Sequence, residues 1–401
     1  MILIKTSDDN GPEVDIHRIR FQGTTFYQID KDELIALPIG HFWRYRFTYF
    51  LSSNQFQCQS DLEWLIKPKA TSLRKNLQSE FPIKKIGHSE AKEIVILNCL
   101  DTCYGHVFYK LLNASYHHQN NQKVIPIIPT SFKWLVPGYV EEYWVVDSPL
   151  SGLETYLINL EKHILSNAQR FSKIWLSHAY PHPDYHQLNL NDFIKFDRFD
   201  LNTYHHNDHY QVTFMYREDR FWFRSKVQEL VYLGLKKYGM LRLFRGFFIE
   251  QQLRHFEKIA QILSNSEEFR FNLVGLCQKR YKLSDRICDH RTLVHDMTEE
   301  VENSWCQLYA KSHVIIGVHG SHMMIPSALA AGFVSVVPNY KIANLAQDIL
   351  SPYSDRLLYF MGRFLYGQSS ARLIAQQVLT QVRGFSVFYE NLMESSNEVK
   401  I

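Results

Sequence analysis

Short apolar runs alternate with longer stretches of helically spaced apolar residues over most of the chain after residue 92. Uninterrupted runs of this length are typical of strands buried on both faces of a parallel sheet. The alternation therefore predicts an α/β fold with helical crossovers. The predicted strands cover residues 93–98, 124–128, 142–146, 173–176, 212–216, 270–274, 314–316 and 333–337.

The stretches between these runs predict amphipathic helices. One of them opens with Thr298 followed by Glu299 and Glu300, a pattern typical of a capped helix N-terminus. An aromatic, Arg-rich segment at 240–247 is interpreted as a connector between two helices. The predicted helices cover residues 153–168, 227–238, 248–263, 297–311 and 370–382, and a further helix is predicted within 100–118 from the spacing of its apolar residues.

Changes in residue composition and in the hydrophobic pattern along the 401 residues predict four regions. Residues 1–88 contain β-like pieces at 20–29 and 43–51 and are predicted to form an N-terminal β-containing extension. A polar, His-rich linker around 200–210 separates two α/β units. The regions are the extension at 1–88, a first α/β domain at 89–203, a second α/β domain at 204–365, and a C-terminal helix and tail at 366–401. The C-terminal helix could pack against the first domain.

The stretch HVIIGVHGSHMMIPSALAAG, residues 313–332, combines a buried-strand run, a turn with two glycines and a small-residue helical segment. Such a turn presents unpaired N–H groups at a helix N-terminus, which suits an anion. Four familiar motifs do not match. The dinucleotide and phosphate-loop glycine patterns are absent, and Met323 stands where a nucleophile elbow at Ser321 needs glycine. A zinc site at His319 and His322 lacks a third ligand.

Charged residues at the end of a neighbouring predicted strand strengthen the anion interpretation. Arg217 and Arg220 follow the strand 212–216 and are expected to reach the same edge as the turn. Together they would neutralise a diphosphate leaving group, and Asn339 follows the next strand. The alternative, that Gly317 and Gly320 only allow the backbone to turn, stays open at this point.

A second group of polar residues follows the first predicted parallel strand. Asp101, Thr102, Tyr104 and His106 lie in the loop at its carboxyl end, where open α/β sheets bind ligands. The segment HAYPHPDYH, which contains His182, is interpreted as a loop lining a cleft rather than a metal site, because its prolines forbid a helix. The triplet Asp30-Lys31-Asp32 is interpreted as a solvated turn rather than a cation ligand of a sugar transferase.

Composition narrows the class of protein. A formal net charge of +3, spread evenly, argues against nucleic acid as a partner. The 6 cysteines show no CxxC spacing and are expected to be free thiols in a reducing compartment. No signal-peptide pattern or spanning apolar run is present, so we expect a cytoplasmic protein that contacts a membrane at most peripherally.

Several strings carry a family resemblance. SHVIIGVHGSHMMIPSALAAGFVSVVP, YREDRFW, LDTCYGHVFYKLLNA and WLVPGYVEEYWVVDSPL resemble the motifs of glycosyltransferase family 61 over roughly residues 93–350. Ser321, His322 and Met323 stand where that family usually has Ala-Gly-Leu. The resemblance implies a GT-B architecture of two facing Rossmann-like domains, with the nucleotide-sugar donor held by the second and a glycan or glycolipid acceptor by the first. It also implies inversion without a cofactor or a tightly bound metal.

Such an enzyme needs a general base for the acceptor hydroxyl and cationic or N–H donors for the departing diphosphate. His106 and Asp101 are both candidates for the base. A non-catalytic nucleotide- or carbohydrate-binding protein on the same frame is the alternative function. The expected donor residues are Arg217, Arg220, His319, Gly320, Ser321, His322 and Asn339, and the expected acceptor residues are Tyr104, Thr102 and His182.

Overall fold

A computed structural model describes residues 3–6, 13–42, 46–59, 63–206, 208–345, 347–353 and 355–398. Internal contacts divide the chain into two units, Met1–Lys195 and Phe196–Ile401. Each unit contains a largely parallel sheet with helical crossovers, which confirms the α/β prediction. Among the described residues, no helix is long and apolar enough to cross a bilayer.

The first unit has fourteen strands and three α-helices among its described residues. Its helices are α1 (Glu63–Arg74), α2 (Tyr104–Gln119) and α3 (Ile158–Ala168). Its strands are β1 (Leu3–Thr6), β2 (Val14–Asp15), β3 (Ile19–Gln22), β4 (Thr25–Asp30), β5 (Glu33–Ala36), β6 (Thr48–Phe50), β7 (Gln55–Gln57), β8 (Gln78–Ser79), β9 (Ile83–Gly87), β10 (Glu93–Asn98), β11 (Val124–Pro129), β12 (Glu142–Val146), β13 (Tyr156–Leu157) and β14 (Lys173–Leu176).

Two sheets share the strands of the first unit. The main sheet has the order β2-β1-β14-β10-β11-β12-β9, with parallel pairing from β1 through β12 and antiparallel strands at both edges. The second sheet has the order β7-β6-β5-β4-β3-β13-β8. Residues before 89 therefore contribute strands to the main sheet as well as most of the second sheet. Of the predicted piece 43–51, residues 48–50 form β6, and residues 43–45 lie outside the described residues.

The acidic triplet occupies the turn between β4 and β5, as predicted. Lys31 adopts a left-handed conformation there, with φ of 50°. The Asp32 carboxylate accepts the backbone N–H of Ser52 at 3.0 Å, and Asp30 accepts a hydrogen bond from Arg18 at 3.3 Å. Both carboxylates thus stabilise the local hairpins.

The second unit has the remaining strands and helices, and one long helix differs from the prediction. Of the segment 240–247, predicted as a connector, residues 241–247 form the first turns of helix α5, whose later residues Phe248 and Leu253 pack in the core. The helices are α4 (Lys226–Lys237), α5 (Leu241–Ser264), α6 (Glu299–Ala310), α7 (Met324–Leu329), α8 (Asp355–Met361) and α9 (Ala371–Glu398), of which α9 packs against α5 and β21. The strands are β15 (Tyr210–Met215), β16 (Phe269–Val274), β17 (Leu276–Cys277), β18 (Ile287–Asp289), β19 (Thr292–Leu293), β20 (Val314–Val318), β21 (Gly332–Val337) and β22 (Gly362–Tyr366).

The main sheet of the second unit is doubly wound. Its strands are all parallel in the order β18-β16-β15-β20-β21-β22, and β17 pairs separately with β19. In chain order this is 3-2-1-4-5-6, so the winding direction reverses between β15 and β20. Ligands of open α/β sheets bind outside the carboxyl ends of the strands at this reversal point. A ligand is therefore expected near the residues that follow β15 and β20.

One buried histidine, His313, is expected to make the unfolding free energy of the second unit depend on pH. His313 is 1% exposed; its Nδ1 accepts the backbone N–H of Gln211 at 3.0 Å, and its Nε2 donates to the carbonyl of Tyr204 at 2.9 Å. Burial lowers the pKa of His313 to about 4. The neutral ring is therefore the folded form at neutral pH.

We expect this imidazole alone to remove up to about 3 kcal/mol of unfolding free energy as the pH falls from about 6.5 to about 4. The unfolded chain takes up the proton near the upper value, whereas the folded chain does so only near the lower one. Urea unfolding of a His313→Asn variant should show a shallower decline over this window. The control is His295→Asn, a change at an exposed ring, and an equally steep decline in His313→Asn would contradict the assignment.

Candidate functional site

The turn after β20 lies beside two arginines that follow β15. The two strands pair directly, with Met215 opposite Gly317, so their carboxyl ends meet. The Nη1 of Arg220 donates to the carbonyl of His319 at 2.9 Å, and the Nη1 of Arg217 approaches the same oxygen at 3.4 Å. The structure therefore brings together the predicted arginines and the predicted turn.

Arg217 is held on two sides. It donates from Nε and Nη2 to the carboxylate of Asp219 at 2.7 and 2.5 Å, and from Nη1 to Nδ1 of His322 at 2.9 Å. Burial would raise the pKa of Asp219, but hydrogen bonds from Arg217 and its charge lower it well below its usual range. Burial and the Arg217 charge also hold the pKa of His322 well below its usual value. Asp219 is thus anionic and His322 neutral.

Gly320 allows the two guanidinium groups to lie against the backbone. A Cβ at this position would overlap Nη1 of Arg217 and would lie 2.8 Å from Nη1 of Arg220. Ser321 begins a single 3₁₀ turn, and α7 beyond it has only 6 residues. Because α7 is so short, the positive charge at this edge comes mainly from the arginines rather than from a helix dipole.

The side chain of His319 is buried and hydrogen-bonded within the protein rather than directed into the site. Its side chain is 0% exposed, with Nδ1 at 3.1 Å from the Ser335 hydroxyl and Nε2 at 2.9 Å from the carbonyl of Asn344. The carboxylate of Asp348 lies 3.4 Å from Nε2. Burial lowers the pKa of His319 despite this carboxylate. Both ring nitrogens face protein groups, so His319 contributes its carbonyl oxygen to the site.

A cavity of about 940 Å³ opens beside Arg220 within the second unit. Its two acids are compensated, since Glu218 pairs with Arg245 at 3.0 Å and Asp219 pairs with Arg217. Tyr281 and Tyr340 supply partly exposed aromatic rings, whereas the ring of Tyr232 in the cavity wall is 0% exposed. Its cations are Arg220, Lys236, Arg242, Arg245, Lys279 and Lys341. A concave site of this size with surplus positive charge suits a polyanion that also carries a ring.

Asn339 lies at the rim rather than inside the cavity. Its backbone N–H donates to the buried Glu229 carboxylate at 3.0 Å, and its side-chain amide donates to the Tyr366 hydroxyl at 2.6 Å. The next residues, Tyr340 and Lys341, line the cavity. Asn339 therefore positions the loop that delivers them.

In the first unit, Asp101 is the centre of a compact polar cluster at the start of α2. Its carboxylate accepts the backbone N–H of Cys103 at 3.1 Å and the Lys110 ammonium at 2.9 Å. Burial would raise the pKa of Asp101, but the Lys110 charge and hydrogen bonds from His106 and His41 hold it well below its usual range. Such an acid is a weak proton acceptor, so it acts here as a fixed negative charge.

His106 lies in the first turn of α2, which begins at Tyr104, rather than in the predicted loop, and Asp101 orients its ring. Its Nδ1 lies 3.2 Å from Oδ1 of Asp101 and 3.1 Å from Nε2 of His41. Every hydrogen bond described for this ring runs through Nδ1, and the side chain is 29% exposed. This arrangement suits an imidazole that takes a proton at Nε2.

Of the predicted acceptor residues, His182 lies beside this cluster. The His182 ring lies 5.6 Å from that of His106 and 5.4 Å from that of Tyr109, measured between centroids. The Tyr104 ring packs 4.6 Å from Phe132, and Thr102 is exposed. The segment containing His182 is a loop, as predicted, up to a 3₁₀ turn at Tyr185–Gln187.

His41 gives the cluster a second possible chemistry. The ligand atoms of His41, Asp101 and His106 all lie within 4.8 Å of one another, which is compatible with a metal ion. Lys110 already occupies one carboxylate oxygen of Asp101, however. Hydrogen bonds between the two imidazole rings and one carboxylate account for the same distances.

No protein-family model and no curated protein matches this chain. Among solved structures, E. coli ADP-heptose LPS heptosyltransferase II resembles it with a TM-score of 0.39 and 10% identity, over 74% of this chain and 100% of that one. E. coli heptosyltransferase WaaC with ADP gives 0.35 and 11%, over 73% and 98%. A Glycosylation Associate Protein (Gap123) complex from Streptococcus agalactiae gives 0.28 and 8%, over 94% and 66%. Similarity this low assigns no function, and membership in glycosyltransferase family 61 stays a prediction.

Several residues of both sites were not predicted from the sequence. Lys110 follows His106 by four positions, so helical spacing alone places them on one face of α2. The cavity cations Arg242 and Arg245 lie in the segment 240–247, which had been interpreted only as a connector. His41 has no comparable signal, because its place in the cluster depends on a turn far away in the chain.

Proposed function

We propose that this protein is a glycosyltransferase that moves a sugar from a nucleotide-sugar donor to a hydroxyl of a glycan or glycolipid, with inversion and without a bound metal. One observation carries the proposal: Arg217 and Arg220 lie where the strand order reverses, and Arg220 opens onto a cavity with surplus positive charge. A nucleoside diphosphate needs cations for its phosphates and rings for its base. The motif resemblance to family 61 agrees with this chemistry.

The donor half of the reaction belongs to the second unit. Arg220 would contact the diphosphate directly, and Arg217 would act beside it while Asp219 and His322 hold its guanidinium in place. Fixed cations stabilise negative charge that develops on the leaving phosphate as its bond to the sugar carbon breaks. Tyr281 and Tyr340, whose rings are partly exposed at the cavity, would contact the nucleobase.

The acceptor half is assigned to His106. Its Nε2 would take the hydroxyl proton as the acceptor oxygen forms its bond to the anomeric carbon. Asp101, held by Lys110, would keep the proton of the resting ring on Nδ1 and stabilise the imidazolium that forms. Asp101 itself is a positioning residue, because its depressed pKa makes it a poor base.

Calorimetric titration with UDP, GDP, CDP and ADP tests the proposal. We expect at least one of them to bind below millimolar, with the same affinity in EDTA. The absence of any such binding would refute the donor assignment. A loss of turnover in EDTA, restored by a divalent cation, would instead overturn the metal-independent mechanism.

A non-catalytic nucleotide- or carbohydrate-binding protein is the second candidate. It is favoured by the Lys110 ammonium, which already neutralises the carboxylate that should support the base. This alternative predicts nucleotide binding without turnover of the matching nucleotide sugar. Product analysis with each acceptor class separates the two functions.

A further inference from the structure

An apolar surface on α4 and the start of α5 is turned toward solvent. Six of its large side chains are between 52% and 78% exposed. All six lie on two consecutive helices and the turn between them. Single exposed apolar residues are common on protein surfaces, but a group of six in one segment is not. We call this the α4–α5 surface, defined by Val227, Leu230, Val231, Tyr238, Leu243 and Phe247.

Helical spacing explains why these residues face outward together. Val227, Leu230 and Val231 are three and four positions apart, and Leu243 and Phe247 are four apart, so each set forms one face of its helix. The opposite faces are buried: α4 buries Glu229 and Tyr232, and α5 buries residues that include Phe248 and Leu253. The side-chain amides of Gln251 and Gln228 join the two helices at 2.8 Å. Both helices thus have a core face and a second apolar face.

The charges within this surface are positive, and the exposed acid one turn beyond Phe247, Glu250, lies 3.4 Å from Arg254. Lys226, Lys236, Lys237 and Arg242 are exposed within residues 226–247. The only acid in that range, Glu229, is 3% exposed and accepts from Asn339 and Gln368. A combination of exposed apolar and basic side chains is typical of helices that lie in the interface of an anionic bilayer.

The same charges argue against a second copy of this chain as the occupant. A symmetric dimer across this surface would place four cations opposite four others. An anionic bilayer instead offers both an apolar layer and negative headgroups. We propose that the α4–α5 surface docks on a bilayer containing anionic phospholipid, inserting Leu243 and Phe247 among the acyl chains.

Docking would also place the cavity at the membrane. Lys236 and Arg242 border the α4–α5 surface and line the cavity at the same time. The cavity rim would therefore face the headgroups. This inference does not depend on the proposed transfer reaction, although a glycolipid acceptor would be reached directly from such a position.

Vesicle flotation with the full chain tests the proposal, using phosphatidylcholine alone and phosphatidylcholine mixed with phosphatidylglycerol. We expect about tenfold or stronger partitioning onto the anionic vesicles. Leu243→Glu combined with Phe247→Glu should reduce it by about tenfold or more. Lys226→Gln combined with Lys237→Gln should also reduce it and weaken its dependence on salt.

Tyr359→Glu is the matched control, because Tyr359 is 80% exposed on α8, outside the α4–α5 surface. It should bind vesicles as the unmodified protein does. The proposal is overturned if the protein ignores anionic vesicles, or if binding survives both double substitutions. A dimer by light scattering that the Leu243 and Phe247 substitutions dissociate, without vesicle binding, would assign the surface to a second copy. If the glutamate variant misfolds by circular dichroism, the lysine variant decides the question.

Discussion

A His106→Ala variant should lose about 10²- to 10⁴-fold in kcat while its affinity for the nucleotide stays unchanged. The proposed role of this ring is to accept the proton of the incoming hydroxyl, which does not affect how the donor binds in the second unit. The measurement is turnover of the nucleotide sugar whose nucleotide binds in the calorimetric titration. Calorimetry on the variant then checks the unchanged affinity.

His118→Ala is the control for this variant. His118 lies on the same helix, but its ring stacks on Tyr139 with centroids 4.0 Å apart, away from Asp101. It should keep the original kcat. If His106→Ala turns over normally, the base assignment is wrong, while the binding result still stands for the donor site.

Replacing Arg220 with alanine should weaken nucleoside diphosphate binding by about 10- to 150-fold, or about 1.5 to 3 kcal/mol. Arg220 both contacts the carbonyl of His319 and lines the cavity, so its loss removes a cation from the point where the phosphates are expected. Calorimetry with the best-binding nucleotide measures the change. The corresponding nucleoside, which lacks phosphates, should bind equally well to both proteins.

Arg383→Ala is the matched control, because this exposed arginine pairs with Glu267 at 2.9 Å outside the cavity lining.

Arg217→Ala is a second variant to measure, since it also releases the Asp219 carboxylate from its partner. We expect the double change of Arg217 and Asp219 to alanine to bind diphosphate better than Arg217→Ala alone. Equal binding by Arg220→Ala and the unmodified protein would remove Arg220 from the donor site.

Strand positions were predictable because short apolar runs end abruptly in polar residues. The predictions for 93–98, 142–146 and 173–176 match β10, β12 and β14 to the residue. Helix boundaries were less predictable where composition and packing disagree. The glycine and aromatic residues of 240–247 look like a loop, yet core contacts made further along α5 extend the helix through them.

Site residues were predictable where they directly follow a strand. They were not predictable where their position depends on a contact between segments far apart in the sequence. Arg217 and the turn at Gly320 could be placed at one edge because each directly follows an apolar run. His41 could not, because it reaches Asp101 only through Gly40, which has φ of 61° and donates its N–H to the carbonyl of His178 at 2.6 Å. No local pattern in the sequence specifies that long-range contact.

The residues before 89 protect the edges of the main sheet in the first unit. β1 covers one side of β14, and β9 covers the free side of β12. A chain shortened to begin at residue 89 would expose the hydrogen-bonding groups of both strands at once. Open edges of this kind pair with other chains, so such a truncation invites aggregation. It would also remove His41, so residues 1–88 both cover the strand edges and complete the polar cluster around Asp101.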